Sequence, residues 1–250
     1  MFLRSLNIDL QTPVSEIVSR DYRTVDVFRK HGIEYCCGGR WPLSTACLMK
    51  GLDGSQIIEE LHEASRDFQL PGTFPYENWS VGFLVDYIIN VHHSYLYKTL
   101  PELEPILEHF VEEHQNKYSY LVELLSTFKK LTKEIQPHLK QEDEVIFPYI
   151  RQVGRAWGNK DSYAGLLVKT LRKPAGAIWD QKHKLLSGIL YKWRELTDNY
   201  FPPVQSCVSH RVVFAKLKEL DNMIAQQIFL ENDILFPKTS QIENELIALP

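Results

Sequence analysis

The sequence predicts an all-α protein: a small helical domain followed by a four-helix bundle. Three observations carry this. Apolar residues recur three and four positions apart along four long stretches after residue 80. Shorter stretches of the same period, closed by helix-stop residues, fill the chain up to about residue 70. No stretch alternates apolar and polar residues strongly enough to compete as a strand. The 250 residues are 44% hydrophobic and 24% charged, as in ordinary globular proteins, which allows a sizeable core in one large or two unequal domains.

The N-terminal domain is expected over residues 1–70. Its first helix reads as Pro13–Arg20, with Thr12 as N-cap, proline in the first turn, and Val14, Ile17 and Val18 on one face. A second helix covers Arg23–Lys30, with Val25, Val27 and Phe28 apolar and Gly32 as its C-cap. The tight Cys36-Cys37-Gly38-Gly39 segment follows, then two further helices over Pro42–Lys50 and Gly54–Asp67. Pro71, Gly72 and Pro75 mark Gln69–Tyr76 as a linker. The bundle is expected over residues 77–240, its helices reading as Val81–His114, Tyr118–Val153, Lys173–Tyr200 and Val204–Lys238. Pro101, Pro105 and Pro137 fall inside these patterns, and each should kink its helix or mark a break.

A repeat within the bundle carries the chemistry. Glu142-Asp143-Glu144-Val145-Ile146-Phe147-Pro148 matches Glu231-Asn232-Asp233-Ile234-Leu235-Phe236-Pro237, 89 residues later. His93 and His183 stand 90 residues apart. Each half therefore has a histidine helix, then a helix with an acidic residue ahead of Phe-Pro. That is the layout of a duplicated hairpin with a site on its pseudo-two-fold axis. His93 shares a face with Ile89, Leu96 and Leu100, and His183 with Trp179, Leu186 and Leu190 at the same offsets. His138 lies one turn before Glu142, on the face of Leu131, Ile135 and Val145.

A single histidine on an apolar face is more often a hydrogen-bonded core residue than a ligand. Two inward histidines at repeat positions, with an inward His-x-x-x-Glu, reverse that balance. Together they would bring a desolvation cost of several kcal/mol, which a bound metal removes. Mixed imidazole and carboxylate ligands suit iron, and zinc or manganese less distinctively. Glu134, one turn before His138, can orient a ligand or pass protons. His92 lies off the apolar face and is expected at the surface, and His62 and His109 are expected in solvent. Gln227 stands where the repeat calls for a counterpart of His138.

Val27 through Gly39, ending on Cys36-Cys37-Gly38-Gly39, resembles the ScdA-type N-terminal domain of iron–sulfur cluster repair di-iron proteins. Ile88–Leu103, with His92-His93 ahead of Leu100-Pro101-Glu102-Leu103, resembles the first helix of their hemerythrin-like domain. His138–Pro148 and Glu231–Pro237 resemble its two metal-binding helix ends. The resemblance covers nearly the whole chain in order. It implies a hemerythrin-like four-helix bundle with a non-haem di-iron centre of four histidines and two bridging glutamates. Carried onto this chain, the ligands are His93, His138, Glu142, His183 and Glu231. The fourth histidine is replaced by Gln227, so two irons per chain are expected and one is the alternative. His114 matches a histidine common in the family but has no counterpart in the repeat, and stands with Gln227 and Glu134 as a ligand or outer-sphere candidate.

The resemblance further implies repair of iron–sulfur clusters damaged by nitric oxide or oxidants, through iron donation or nitric oxide chemistry. Damaged iron–sulfur proteins would be the partners, and nitric oxide or dioxygen the small ligands. A hemerythrin-like module that binds or senses oxygen, nitric oxide or iron without turnover is the alternative, and a scaffold with a site degraded by Gln227 is a third reading.

Of the four cysteines, Cys36, Cys37 and Cys47 lie close together, and a bond between the adjacent pair would be strained. This is not a secreted disulfide framework. Cys36 and Cys37 are the candidate redox thiols, because a glycine-rich turn near a helix end can lower a thiol pKa. Burial as small hydrophobes is the alternative. Cys207 reads as loop or helix start with no chemistry implied. A net charge of −4 gives no electrostatic footprint for nucleic acid or an anionic membrane. Residues 1–13 lack the apolar core of a secretory signal, and Val81–Val91 is interrupted by Asp86 and too short to span a bilayer. A cytoplasmic protein is expected, with a homodimer left open.

Overall fold

The computed structural model describes residues 8–35, 39–65, 74–171 and 175–248. Cys36, Cys37 and most of the expected linker lie outside these residues. The described residues are helical, with no strand among them beyond an isolated bridge between Pro13 and Pro42. The chain divides into two compact units, Met1–Phe74 with Tyr200–Lys218, and Pro75–Asn199 with Glu219–Pro250.

The first unit contains α1 (Val14–Arg20), a 3-10 turn (Tyr22–Thr24), α2 (Val25–Lys30), α3 (Leu43–Lys50) and α4 (Gly54–Ala64). Thr12 does not cap α1. Pro13 takes the cap position and its carbonyl accepts from the Glu16 and Ile17 N–H groups, while the Thr12 hydroxyl accepts from the Asp9 N–H. Gly32 does close α2: at φ 62° it turns the chain left-handed, and the Ile33 N–H donates back to the Phe28 carbonyl. Val14, Ile17, Val25, Phe28, Leu43, Ile57 and Leu61 form the core, joined by Val212 from far along the chain.

The second unit opens with α5 (Val81–Tyr87), capped by the Ser80 hydroxyl, which accepts from the Phe83 N–H. A π-helical turn (Ile88–His93) links α5 to α6 (Ser94–His114) in one continuous run. The second run is α7 (Tyr120–Gln141), a π turn (Glu142–Ile146) and α8 (Phe147–Asn159). A short helix outside the expected set, α9 (Ala164–Leu171), precedes α10 (Ala175–Leu196). The last run is α11 (Val208–Phe229), a π turn (Leu230–Leu235) and α12 (Phe236–Ala248). Of α11, the residues from Glu219 belong to this unit. α6 and α10 both pack on α7, α5 packs on α8, and α8 and α9 pack on α12, which makes a helical bundle.

Of the kinks or breaks expected at Pro101, Pro105 and Pro137, no break occurs, because α6 and α7 run through all three. Each proline is exposed. The carbonyl it leaves without an intrahelical donor lies one turn back on the same face, where water can serve it.

The π turns change which residues face the core. Each wide turn adds a residue, so the inward positions slip by one. This corrects two expectations. His92 is fully buried rather than at the surface, because the π turn carries both His92 and His93 inward. Val145 does not share the face of Glu142: it is exposed, and Ile146 takes the inward place. No described helix is long and apolar enough to cross a membrane.

Candidate metal centre

Six polar side chains from all four helical runs converge in the second unit. His93 ends the first π turn, and His138 lies in the last full turn of α7. Glu142 opens the second π turn, His183 comes from α10 and Gln227 from α11, and Glu231 lies in the third π turn. All six are buried, the two glutamates completely. His138, Glu142, His183 and Glu231 each offer a ligand atom, and these atoms lie within 4.8 Å of one another.

The arrangement keeps the two-fold character of the repeat. On one side, His183 Nε2 is 3.1 Å from His138 Nε2 and 3.0 Å from Glu231 Oε2. His138 Nε2 is 3.3 Å from Glu142 Oε1. On the other side, the Gln227 amide nitrogen lies 3.1 Å from His93 Nε2, 2.9 Å from Glu231 Oε1 and 3.4 Å from Glu142 Oε2. Gln227 thus occupies the place opposite His93 that His138 occupies opposite His183. The two glutamates reach both sides.

Outer groups fix the two repeat histidines. His93 Nδ1 donates to Asp143 Oδ1 at 2.8 Å, and His183 Nδ1 donates to Asn232 Oδ1 at 2.8 Å. A carboxylate or amide oxygen can only accept, so each ring carries a proton on Nδ1 and directs Nε2 to the centre. The Phe-Pro ends of the repeat back the rings. Phe147 stacks on His93 with centroids 5.3 Å apart, and Phe236 stacks on His183 at 6.4 Å. Asp143, Asn232, Phe147 and Phe236 were visible in the repeat as residues but not as partners of the histidines. The signal was their fixed distance after each glutamate.

The other candidates fall elsewhere. Glu134 pairs with Lys182 rather than with His138, and that ammonium holds its carboxyl below the usual range. The His114 ring stacks on Phe110 and its Nδ1 donates to the Phe110 carbonyl, away from the six residues. His92 donates from Nδ1 to the Met223 carbonyl and packs edge-on against Tyr87.

The electrostatics fit a bound cation. Burial, then the nearby Glu231 charge, pushes the Glu142 carboxyl well above the carboxylate range. Burial also acts upward on Glu231, but the bonds and charges of His183, His138 and Gln227 outweigh it and hold Glu231 low. Burial pushes His138 down to about 4. Glu142 Oε1 is buried in the centre without a hydrogen-bond partner. Buried oxygens of this kind are costly unless a cation meets them. Imidazole nitrogens and carboxylate oxygens are a donor set for a first-row transition metal.

Fold and site together define a helical-bundle protein with a buried histidine–glutamate cluster that could hold a metal ion. Residues 84–239 match the hemerythrin HHE cation binding domain, and the chain belongs to that family, whose members point to non-haem iron binding. Residues 10–65 match ScdA_N, a domain of unknown function. The chain is 27% identical over 227 residues to the iron-sulfur cluster repair protein ScdA of Staphylococcus haemolyticus, covering 91% of this chain and 97% of that one. It is 27% identical to the iron-sulfur cluster repair protein YtfE of Enterobacter sp., covering 90% of this chain and 95% of that one. The YtfE of Escherichia coli O8 is 26% identical over the same shares.

Proposed function

We propose that this protein repairs iron–sulfur clusters damaged by nitric oxide or oxidants, using a non-haem iron centre with two unequal positions. The observation that carries the reading is the convergence of His138, Glu142, His183 and Glu231, fully buried and within 4.8 Å. These four would hold one iron. His93 and Gln227 would hold a second between the same two glutamates, giving two per chain when full. When bound, iron would supply redox and ligand-exchange chemistry. The protein's own part is to present fixed Nε2 lone pairs, to span the positions with carboxylates, and to keep bulk water out.

The relatives' names, iron-sulfur cluster repair protein, favour repair over a bare oxygen carrier, as does the N-terminal domain shared in the same order. Damaged iron–sulfur proteins would be the partners and nitric oxide or dioxygen the small ligands. Cys36 and Cys37 would serve as redox thiols, in a cytoplasm where thiols stay reduced.

The test has two readings, iron per chain and restored activity of a cluster enzyme inactivated by nitric oxide. Wild-type protein should bind iron and restore activity beyond an equal amount of free ferrous salt. The double variant His138→Ala, Glu231→Ala should do neither. Wild-type iron content in that variant would overturn the ligand assignment. Iron-loaded wild-type protein that restored nothing beyond the salt would overturn repair and leave a binding module.

A further inference from the structure

The repeat is broken at two further places, both on the His93 side. Behind His183 stands Asn232, whose amide oxygen accepts from Nδ1. Behind His93, at the equivalent position, stands a carboxylate, Asp143. Its second oxygen accepts a 2.9 Å bond from the Tyr97 hydroxyl, while the residue at the position equivalent to Tyr97 is Ser187. The Tyr97 ring also sits edge-on to His93, with centroids 6.4 Å apart. So the side that has lost an imidazole to Gln227 has gained an anionic, tyrosine-anchored acceptor. The side that keeps both imidazoles, His138 and His183, has only a neutral one.

We propose that Asp143, held by Tyr97, is a positioning residue that retains the cation at the His93–Gln227 position and offsets the imidazole missing there. The inference rests on the metal-centre reading above. Two physical effects act in the same direction. An imidazole that donates to a carboxylate is a more basic and more firmly oriented ligand than one that donates to an amide. A carboxylate one ring away also adds negative charge beside a position where Gln227 supplies only a neutral oxygen. Tyr97 contributes by fixing the carboxylate plane, so that the oxygen facing His93 stays in line with Nδ1. Asp143 touches no ligand atom of the centre in this arrangement. It acts through its bond to His93 and through its charge on that side of the centre, so its effect should fall mainly on one of the two positions.

The experiment loads the full-length protein anaerobically with ferrous iron and follows its release to a chromogenic chelator. Wild-type protein should release two irons per chain in two phases. Asp143→Asn, which makes the halves alike, should speed the faster phase roughly 10- to 100-fold, the usual cost of losing such a partner, and move the slower phase by no more than about twofold. Tyr97→Phe should speed the same phase by less. Asp143→Asn combined with Gln227→His should bring the faster phase back toward wild type, a rescue that a purely structural role would not give. Melting of the metal-free variants reports folding separately. If Asp143→Asn does not fold, Tyr97→Phe, which leaves the carboxylate in place, must still speed the faster phase alone. The proposal is overturned if Asp143→Asn moves both phases alike or neither, if Gln227→His gives no rescue, or if iron leaves wild type in a single phase. A wild-type protein that holds no iron would overturn the metal-centre reading itself.

Discussion

Gln227 sets how the two metal positions differ. Its amide nitrogen faces His93 and both glutamates, and its oxygen has no hydrogen-bond partner. In this orientation the amide offers its two N–H donors among three nearby acceptors. Turning the amide over would bring the oxygen inward as a neutral ligand, weaker than imidazole. Gln227→His should therefore raise tightly held iron toward two per chain and slow chelator removal of the second. Superimposable release curves for the two forms would show that the position takes its ligand from elsewhere. His138 gives a pH signature in the metal-free protein. Its folded pKa is depressed from 6.5 to about 4 by burial. The unfolded chain then binds the extra proton between those values, so stability falls as pH drops through that window. The loss amounts to about 3 kcal/mol by the time pH reaches 4. Denaturant unfolding of metal-free protein across this range should show the slope, and His138→Gln should flatten it. Equal slopes in the two proteins would mean that His138 is readily protonated in the folded state.

Among the elements, the long runs were legible in the sequence because a 3.6-residue period persists over many turns. The site was legible because it is written twice. A histidine, a glutamate and Phe-Pro at one offset identify each other without any knowledge of the fold. The π turns were not legible. Ile-Ile-Asn-Val-His-His carries no local mark of a wide turn, nor does Glu-Asp-Glu-Val-Ile, and one added residue in each put His92 inward and Val145 outward. α9 was missed because eight residues are too few to establish a period. The wide turns also suggest a test of register. Val145 is exposed and lies in the π turn that follows Glu142. Deleting it should convert that turn to α, leave helix content unchanged, and narrow the backbone that carries Glu142 and Asp143, shifting Asp143 from its place behind His93 Nδ1. Iron per chain should drop while the far-ultraviolet circular dichroism stays the same. Full iron content in the deletion variant would show that the centre does not depend on the wide turn.

At the scale of the whole molecule, the first unit draws on distant parts of the chain. Val212, fully buried, belongs to the same core as Phe28, Leu43, Cys47 and Leu61, with Val208 packed against it. No sequence pattern announces that partnership, because α11 reads as one amphipathic helix from end to end and its first turns look like bundle helix. The thiols report on this core. Cys47 is buried in it, and burial, then the Asp53 charge, pushes its thiol upward. Alkylation requires both exposure and the thiolate, so Cys47 should label slowly in the native protein. Cys207 is half-buried and Cys36 and Cys37 sit in a glycine-rich segment, so the latter pair should label fastest. Val212→Ala removes two buried methyl groups' worth of packing and should destabilise the first unit by about 2 kcal/mol. If opening of that core precedes labelling, Cys47 should then react about 30-fold faster, the factor that follows from that energy. Cys36 and Cys37, already reactive, should keep their rates. Timed alkylation read by mass spectrometry gives all four rates in one experiment. An unchanged Cys47 rate in Val212→Ala would show that Val212 does not help hold the core closed around that thiol.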